Sequence, residues 1–442
     1  MKRLIFIASL AMLAVGCQKT IIQNEVLTPI GFSTEVGKQT RAIVQNDTYN
    51  SEQPFAVYAY GHQDNEVTTV MDNVEVSFTQ GDANADPATE DKWAATTTTD
   101  VKTRYFWPND PSTTLNFYAY SPAKPKNGNV DSEKAPHQEL TGTISHTEDQ
   151  GLKLTDYMHS NMYVDFMVAT PVLEATFKDQ DGSNGSASGL NSVPLTFGHK
   201  MTQVNFKVQL AENEDYSNID FKINSIVLNN IVSNGTYSYS YTAPADQTPA
   251  SVTESWSDAT TSQKSSYKIY PATTASTPLP QDDNGYSYGA PALTNVNTSN
   301  TENSEVTVIL RTDSDTRTKI TEDSGERELT AAENPGMSFS TTPVTMIPQT
   351  LTNTANTTSD DIISNGGQSF TISYTISGTG VATETVTKSF EFADAMTNAP
   401  VWGINKNITY TLTISLKEIT FAPSVATWST DNAAGSYVDP EV

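Results

Sequence analysis

Cys17 is the single cysteine of this 442-residue chain, and its position gives it one chemistry. It follows Lys2 and Arg3, an apolar run from Leu4 to Val15 broken only by Ser9, and the small residue Gly16. A charged start, a short apolar stretch and small residues before a break read as a secretory signal. The run is too short to span a bilayer. A thiol directly after such a cleavage site is the lipid acceptor of a lipobox, so residues 1–16 are expected to leave as a signal peptide and Cys17 to carry acyl chains such as palmitate. With no second thiol the mature chain forms no internal disulfide, although an exported compartment permits one. Its stability therefore rests on burial and strand pairing.

Other reactive residues do not assemble into a site. His62, His137, His146, His159 and His199 show no metal-ligand spacing and no accompanying thiol, and His199, two residues after Phe197, reads as structural. Gly-Ser-Ala-Ser-Gly at 185–189 has the outline of a nucleophile elbow, but Ala187 stands where the serine belongs. Asp179 and Asp181 open something like a calcium loop, yet Ser183 and Asn184 break its glycine position and Leu190 replaces the bidentate acid. Carboxylate pairs for glycoside hydrolysis carry no information in a chain with 51 acidic residues. Neither catalysis, a cofactor nor a metal is expected.

Charge narrows the partners. Only 25 Lys and Arg give a formal net charge of −26 at pH 7, which argues against phosphate backbones and anionic headgroups and excludes nucleic acid. No hydrophobic stretch after Val15 approaches membrane-spanning length.

The elements that position these residues are strands. Phe55, Val57 and Ala59 alternate with Ala56, Tyr58 and Tyr60; Val74, Val76 and Phe78 follow; Leu115, Phe117 and Ala119 alternate with Tyr118 and Tyr120. The tyrosines, with Trp107, suit sugar stacking as well as core packing, and core packing ranks first. Val164, Phe166 and Val168 continue the pattern, and Val204, Phe206, Val208 and Leu210 give its most regular run before the polar break Ala-Glu-Asn-Glu-Asp. Ile219, Phe221 and Ile223 change phase to Ile226 and Leu228, which predicts a bulge or turn. Residues 232–304, rich in Ser, Thr, Asn, Gly and Pro around Tyr237, Tyr239 and Tyr241, predict long surface loops between short strands. Val306 to Leu310, Phe370 to Ile376 and Val386 to Phe392 restore clear alternation. Many short strands bounded by turn residues predict an all-β chain of antiparallel sandwiches. The length allows two, with a first domain over 42–212, a second over 213–442, and the boundary near 212 within ten residues or more.

Several segments together resemble the fimbrillin family of Gram-negative anaerobes, the lipoprotein-derived subunits of Bacteroidales type V pili. They are the lipobox at Cys17; Pro-Ile-Gly-Phe at 29–32 with Thr-Arg-Ala at 40–42; Tyr-Phe-Trp-Pro at 105–108 leading to Leu-Asn-Phe-Tyr-Ala-Tyr-Ser-Pro at 115–122; Phe-Met-Val-Ala-Thr at 166–170; Leu-Thr-Phe-Gly-His-Lys-Met at 195–201; Met-Ile-Pro-Gln at 346–349; and Trp402, Asn407 and Tyr410 before Trp428. The resemblance implies two Greek-key, transthyretin-like β-sandwich domains in tandem. It implies a lipidated precursor carried to the outer membrane and cut by an arginine-specific protease. Here the matching bond joins Arg41 to Ala42, and 17–41 becomes a propeptide. Arg41 is the only arginine between Arg3 and Arg104 and lies in a polar stretch that a protease can enter; on the residues alone, simple solvation of Arg41 is the favoured account, and the resemblance turns the reading to cleavage.

Loss of the propeptide has a physical consequence. Ile30 and Phe32 alternate as a strand, and removing that strand opens a groove of apolar core and unpaired backbone groups, a template for strand addition. A donor is available at the other end, where Ile408, Tyr410, Leu412, Ile414 and Leu416 alternate before a phase shift to Ile419 and Phe421. Burying five such side chains contributes on the order of 10 kcal/mol before ordering costs. Residues 408–428 fit equally well as the last hairpin of the second domain. The cut also removes five basic and two acidic residues, leaving 20 against 49, a balance of −29. Subunits that repel are then held by strand insertion, and the polymer is expected to be insensitive to salt. The expected partners are other fimbrial subunits, the membrane through the lipid on Cys17, and a host or bacterial surface ligand. The alternative is a monomeric surface lipoprotein that binds glycans through exposed aromatics.

Overall fold

The computed structural model describes residues 28–428 outside a set of breaks, the longest at 38–45, 82–91, 96–104, 125–139, 178–189, 271–307 apart from Ser287–Tyr288, 312–318, 329–335 and 355–361. Strands dominate the described residues, with helix only at Ile362–Ile363 and Phe392–Ala395. The all-β class and its sandwich character are as the alternation predicts.

The first core lies inside a sheet that closes on itself. Thr114–Ser121 pairs with Phe55–Gln63, which pairs with Glu66–Thr79, then Lys92–Ala95, Phe32–Gly37, Val193–His199 and Met167–Ala169, and the last pairs back to Thr114–Ser121. All these pairings are antiparallel except that of Phe32–Gly37 with Val193–His199. Asp64 and Asn65, both at positive φ, make the two-residue turn of the first hairpin, a conformation in which Asp and Asn are favoured. Phe32, Phe55, Phe117 and Phe197 meet inside the ring, with Phe32 edge-on to Phe55 at 5.9 Å and to Phe117 at 6.0 Å.

The second core lies between two open sheets. In one, Thr202–Leu210 pairs in parallel with Lys406–Ile414, which pairs antiparallel with Ile419–Thr427. In the other, Ile219–Val232 lies between Lys264–Tyr270 and Ser369–Gly378, and Val381–Glu391 forms the edge. Strict alternation of buried and half-exposed positions along Thr202–Leu210 sends Val204, Phe206, Val208 and Leu210 inward against Phe221, Ile226, Phe370 and Ile372. The phase change after Ile223 is a bulge, with the register against Ser369–Gly378 shifting between Ile223 and Ser225. The chain crosses between the cores at Lys200 and Met201, where Val193–His199 ends and Thr202–Leu210 begins.

A third sheet, Ser251–Asp258, Asn234–Thr242, Gly151–Met158 and Thr143–Thr147 in that order, draws two strands from each half of the chain. It covers the outer face of Phe55–Gln63 and Thr114–Ser121, so Tyr58, Tyr60 and Tyr120 pack against Leu152, Leu154, Tyr237 and Tyr239. This corrects the long loops predicted between short strands over 232–270; most of 271–304, the rest of that stretch, lies outside the described residues. Asn234–Thr242, Ser251–Asp258 and Lys264–Tyr270 are strands of seven to nine residues: Tyr237, Tyr239 and Trp256 of the first two cover an aromatic face, and Tyr267 and Tyr270 of the last are buried in the second core.

Candidate functional site

The sites read from the sequence lie at the two ends of the chain. Cys17, Arg41 and Ala42 lie outside the described residues, as does the Asp179–Gly189 stretch. Around them the described geometry is specific. Phe32–Gly37, the leading strand, keeps five register pairs with Val193–His199 on one side, while Trp93 and Asn46–Asp47 pair on the other. Pro29 bridges to Phe106, the Ile30 N–H donates to the Tyr105 carbonyl at 2.9 Å, and the Val193 N–H donates to the Gly31 carbonyl at 2.9 Å. Ile30, Phe32 and Val36 are buried, while Ser33 is exposed. The Arg41–Ala42 bond falls between two segments that pair with each other, Val36–Gly37 and Asn46–Asp47.

At the other end, the seven residues predicted as a donor divide into three environments. Ile408, Tyr410, Leu412 and Ile414 belong to Lys406–Ile414, the penultimate strand, which is bonded over nine residue pairs on each side and buries all four completely. Tyr410 also accepts a hydrogen bond from Trp402 Nε1 at 3.0 Å. Leu416 lies between the last two strands at 49% exposure, beside a turn closed by Ser415 and Glu418. Ile419 and Phe421 belong to Ile419–Thr427, the terminal strand, which has a single neighbour. Both are partly buried, and Phe421 meets Phe370 at 5.2 Å and Phe390 at 5.1 Å. Pro423, without an N–H, interrupts the donors along this strand, a common guard on a sheet edge.

The aromatic residues that suit sugar stacking are packing residues. Tyr58, Tyr60, Tyr120 and Trp107 are buried, and only Tyr118 among them keeps partial exposure. Tyr60 Oη donates to the His146 carbonyl at 3.0 Å, and the Glu148 carboxylate accepts from Asn116 at 2.8 Å and His62 at 2.9 Å. These bonds fasten the Thr143–Thr147 edge of the third sheet to the first sandwich. Burial pushes the His146 imidazole down to about 4 against the opposing pull of Glu148. His159 is likewise lowered to about 4 by burial, although its Nε2–H donates to the Thr345 carbonyl at 2.6 Å. Imidazoles held neutral in this way are structural. No group of three His, Cys, Asp or Glu able to hold a metal occurs among the described residues.

What the sequence did not signal is the crowding at the joint between the cores. The Lys200 ammonium pairs with Glu254 at 2.7 Å, and Trp256 Nε1 donates to the Lys200 carbonyl at 2.7 Å, tying the joint to the third sheet. The Met201 carbonyl accepts from the Asn405 N–H at 3.1 Å, tying it to the C-terminal hairpin. The spacing of Tyr237, Tyr239 and Tyr241 was the available signal, in a stretch whose composition reads as loops.

The profile of the fimbrillin-like family matches residues 40–321, more than half of the chain. Among solved structures, a fimbrial protein from Bacteroides vulgatus is 16% identical with a TM-score of 0.47, covering 91% of this chain and 99% of its own. The tip fimbrial protein Mfa3 from Porphyromonas gingivalis, with C-terminal truncation, is 10% identical with a TM-score of 0.28, covering 89% of this chain and 99% of its own. No curated protein sequence matches.

Proposed function

The chain belongs to the fimbrillin-like family, and on that premise we propose that it is a structural or accessory subunit that joins its neighbours in a cell-surface fimbrium by exchanging strands. The family is one of fimbrial structural proteins and not of enzymes, so the chain's work is assembly with other subunits at the cell surface. In this reading Cys17 carries the lipid that holds the precursor at the outer membrane, a protease cuts between Arg41 and Ala42, and the released leading strand vacates its place. The polymer then supports adhesion to a host or bacterial surface.

The observation that carries the reading is the setting of the leading strand. It is a parallel insert in an otherwise antiparallel ring, and Ile30, Phe32 and Val36 fill the core from it. Burial of those three side chains contributes roughly 1.5–3 kcal/mol each. Its departure strands Phe55, Phe117 and Phe197 beside an unpaired edge of Val193–His199, and a segment of alternating apolar residues restores both. Of the two C-terminal strands, the terminal one can leave by breaking a single ladder, whereas the penultimate strand must break two. Subunits at a balance of −29 repel at long range, so the joint relies on buried strands.

The test is N-terminal sequencing and intact mass of the protein recovered from the surface of its own host, with a second preparation lacking residues 408–442. Heat-resistant polymers beginning at Ala42, lost on that deletion, are the expected result. A lipidated Cys17 on monomers, or normal polymers from the deleted chain, overturns the proposal.

A further inference from the structure

The terminal strand is weakly held along its length and firmly held at its end. Thr420, Ala422, Ser424 and Val425 are exposed, and the strand has one neighbour. Trp428, the next residue after it, is only 4% exposed. Its partner belongs to the first sandwich. The indole lies face to face with the His199 imidazole, centroids 4.1 Å apart and planes 7° from parallel.

His199 is held ready for that contact. It ends the strand Val193–His199 with a fully buried side chain, and its Nδ1–H donates to the Asp165 carboxylate, both oxygens at 2.9 Å. A carboxylate only accepts, so the proton sits on Nδ1 and the ring plane is fixed. Nε2 is buried with no hydrogen-bond partner. Burying an acceptor without a partner costs free energy, so the stacked indole covers the imidazole against that cost, and it is the fixed ring plane at 4.1 Å and 7° that makes the contact specific. The backbone fixes the other half: the Trp428 N–H donates to the Asn405 carbonyl at 3.1 Å, and the Asn405 N–H donates to Met201 at the joint.

We propose that Trp428 and His199, with Asp165 as the positioning residue, form a clasp that pins the end of the terminal strand to the first sandwich and limits how often that strand detaches. Stacking of two flat rings, one held by a carboxylate, is a point contact one residue beyond the ladder that it protects. Fraying of an edge strand starts where its ladder ends, and the clasp closes the end of the ladder opposite the hairpin turn. The same strand of the first sandwich that pairs with the leading strand at Phe197 carries the clasp two residues later at His199. The removable element at the N terminus and the loosely bound one at the C terminus thus touch one strand. The clasp itself is a statement about the folded subunit; its consequence for assembly rests on the strand-exchange reading above.

The experiment is amide hydrogen exchange on the purified, unprocessed full chain, comparing it with Trp428→Ala, Trp428→Phe and Asp165→Asn, followed by polymerisation of each after proteolytic removal of the leading strand. Expected is exchange across Ile419–Thr427 at least tenfold faster in Trp428→Ala, with Phe55–Gln63 unchanged as the control for folding, near-native protection in Trp428→Phe, and an intermediate gain in Asp165→Asn. Unchanged exchange over Ile419–Thr427 in Trp428→Ala overturns the clasp whatever the polymers do. If Trp428→Ala disturbs Phe55–Gln63 as well, Trp428 is a general packing residue and the clasp also falls. Faster exchange with an unchanged rate of polymerisation upholds the clasp and counts against donation of the terminal strand.

Discussion

The leading strand and the terminal strand are both short β segments at an end of the described chain, yet they are held by opposite means. Phe32–Gly37 has partners on both edges and drives Phe32 and Val36 into a closed ring of strands. Ile419–Thr427 is longer, has one edge bonded, offers only Ile419 and Phe421 to the core in part, and has four of its nine residues exposed and none fully buried. One is a plug whose loss unmakes a core; the other is a cover whose loss exposes the edge of a strand that is already complete. On the strand-exchange reading proposed above, a subunit needs this asymmetry, because the vacated place must be deep and the lent segment cheap to release.

The largest change that tests this picture acts on neither strand. His146 and His159, both lowered to about 4 by burial, stay neutral in the fold while the unfolded chain takes up their protons from about 6.5 downward. Stability from this source is therefore full above about pH 6.5, falls as the pH drops toward 4, and loses no more below it, on the order of 3 kcal/mol for each imidazole. Denaturant titrations at pH 7.5, 5.5 and 4.5 check the slope. A flat profile across that window removes the assignment of these rings as buried and neutral.

Truncation of the two phenylalanines compares the strands directly. Phe32→Ala empties a site enclosed by Phe55 and Phe117 and is expected to cost about 3–5 kcal/mol in the unprocessed chain. Phe421→Ala, on a partly exposed strand, is expected to cost about half as much. Chemical denaturation of both variants gives the ratio, and equal losses would mean that the terminal strand is as much a part of its core as the leading strand is. A smaller effect is expected inside the penultimate strand: Tyr410→Phe keeps the ring but strands the buried Trp402 Nε1–H, at about 1–3 kcal/mol.

The strands of the second core were easier to read from sequence than those of the third sheet. Alternation at Val204 to Leu210 and Ile408 to Ile414 is legible because each strand has one face in a core and one outside it. The bulge after Ile223 showed as a phase change because the pleat has a period of two. The third sheet was not legible, since its strands lie in Ser, Thr and Gly-rich sequence whose composition matches loops, and only burial against Tyr58, Tyr60 and Tyr120 makes them strands. Nor does any local pattern report the parallel pairing of Thr202–Leu210 with Lys406–Ile414, or the meeting of His199 with Trp428, because both join segments from opposite ends of a long stretch of chain.

Leu416 gives the smallest expected effect and the sharpest discrimination. Sequence alternation places it in series with Ile408, Tyr410, Leu412 and Ile414, yet the fold leaves it 49% exposed between the last two strands. In the isolated subunit Leu416→Ser should change stability by no more than about 0.5 kcal/mol, as for other surface positions. If the hairpin keeps its register in the polymer, assembly is equally indifferent. If the last two strands reorganise on exchange, so that the alternating series runs through Leu416 into a neighbour's groove, Leu416→Ser slows or weakens polymerisation while leaving the monomer untouched. Measuring monomer denaturation and polymer yield on that one variant therefore separates a terminal strand lent intact from a C-terminal segment that refolds as it is lent.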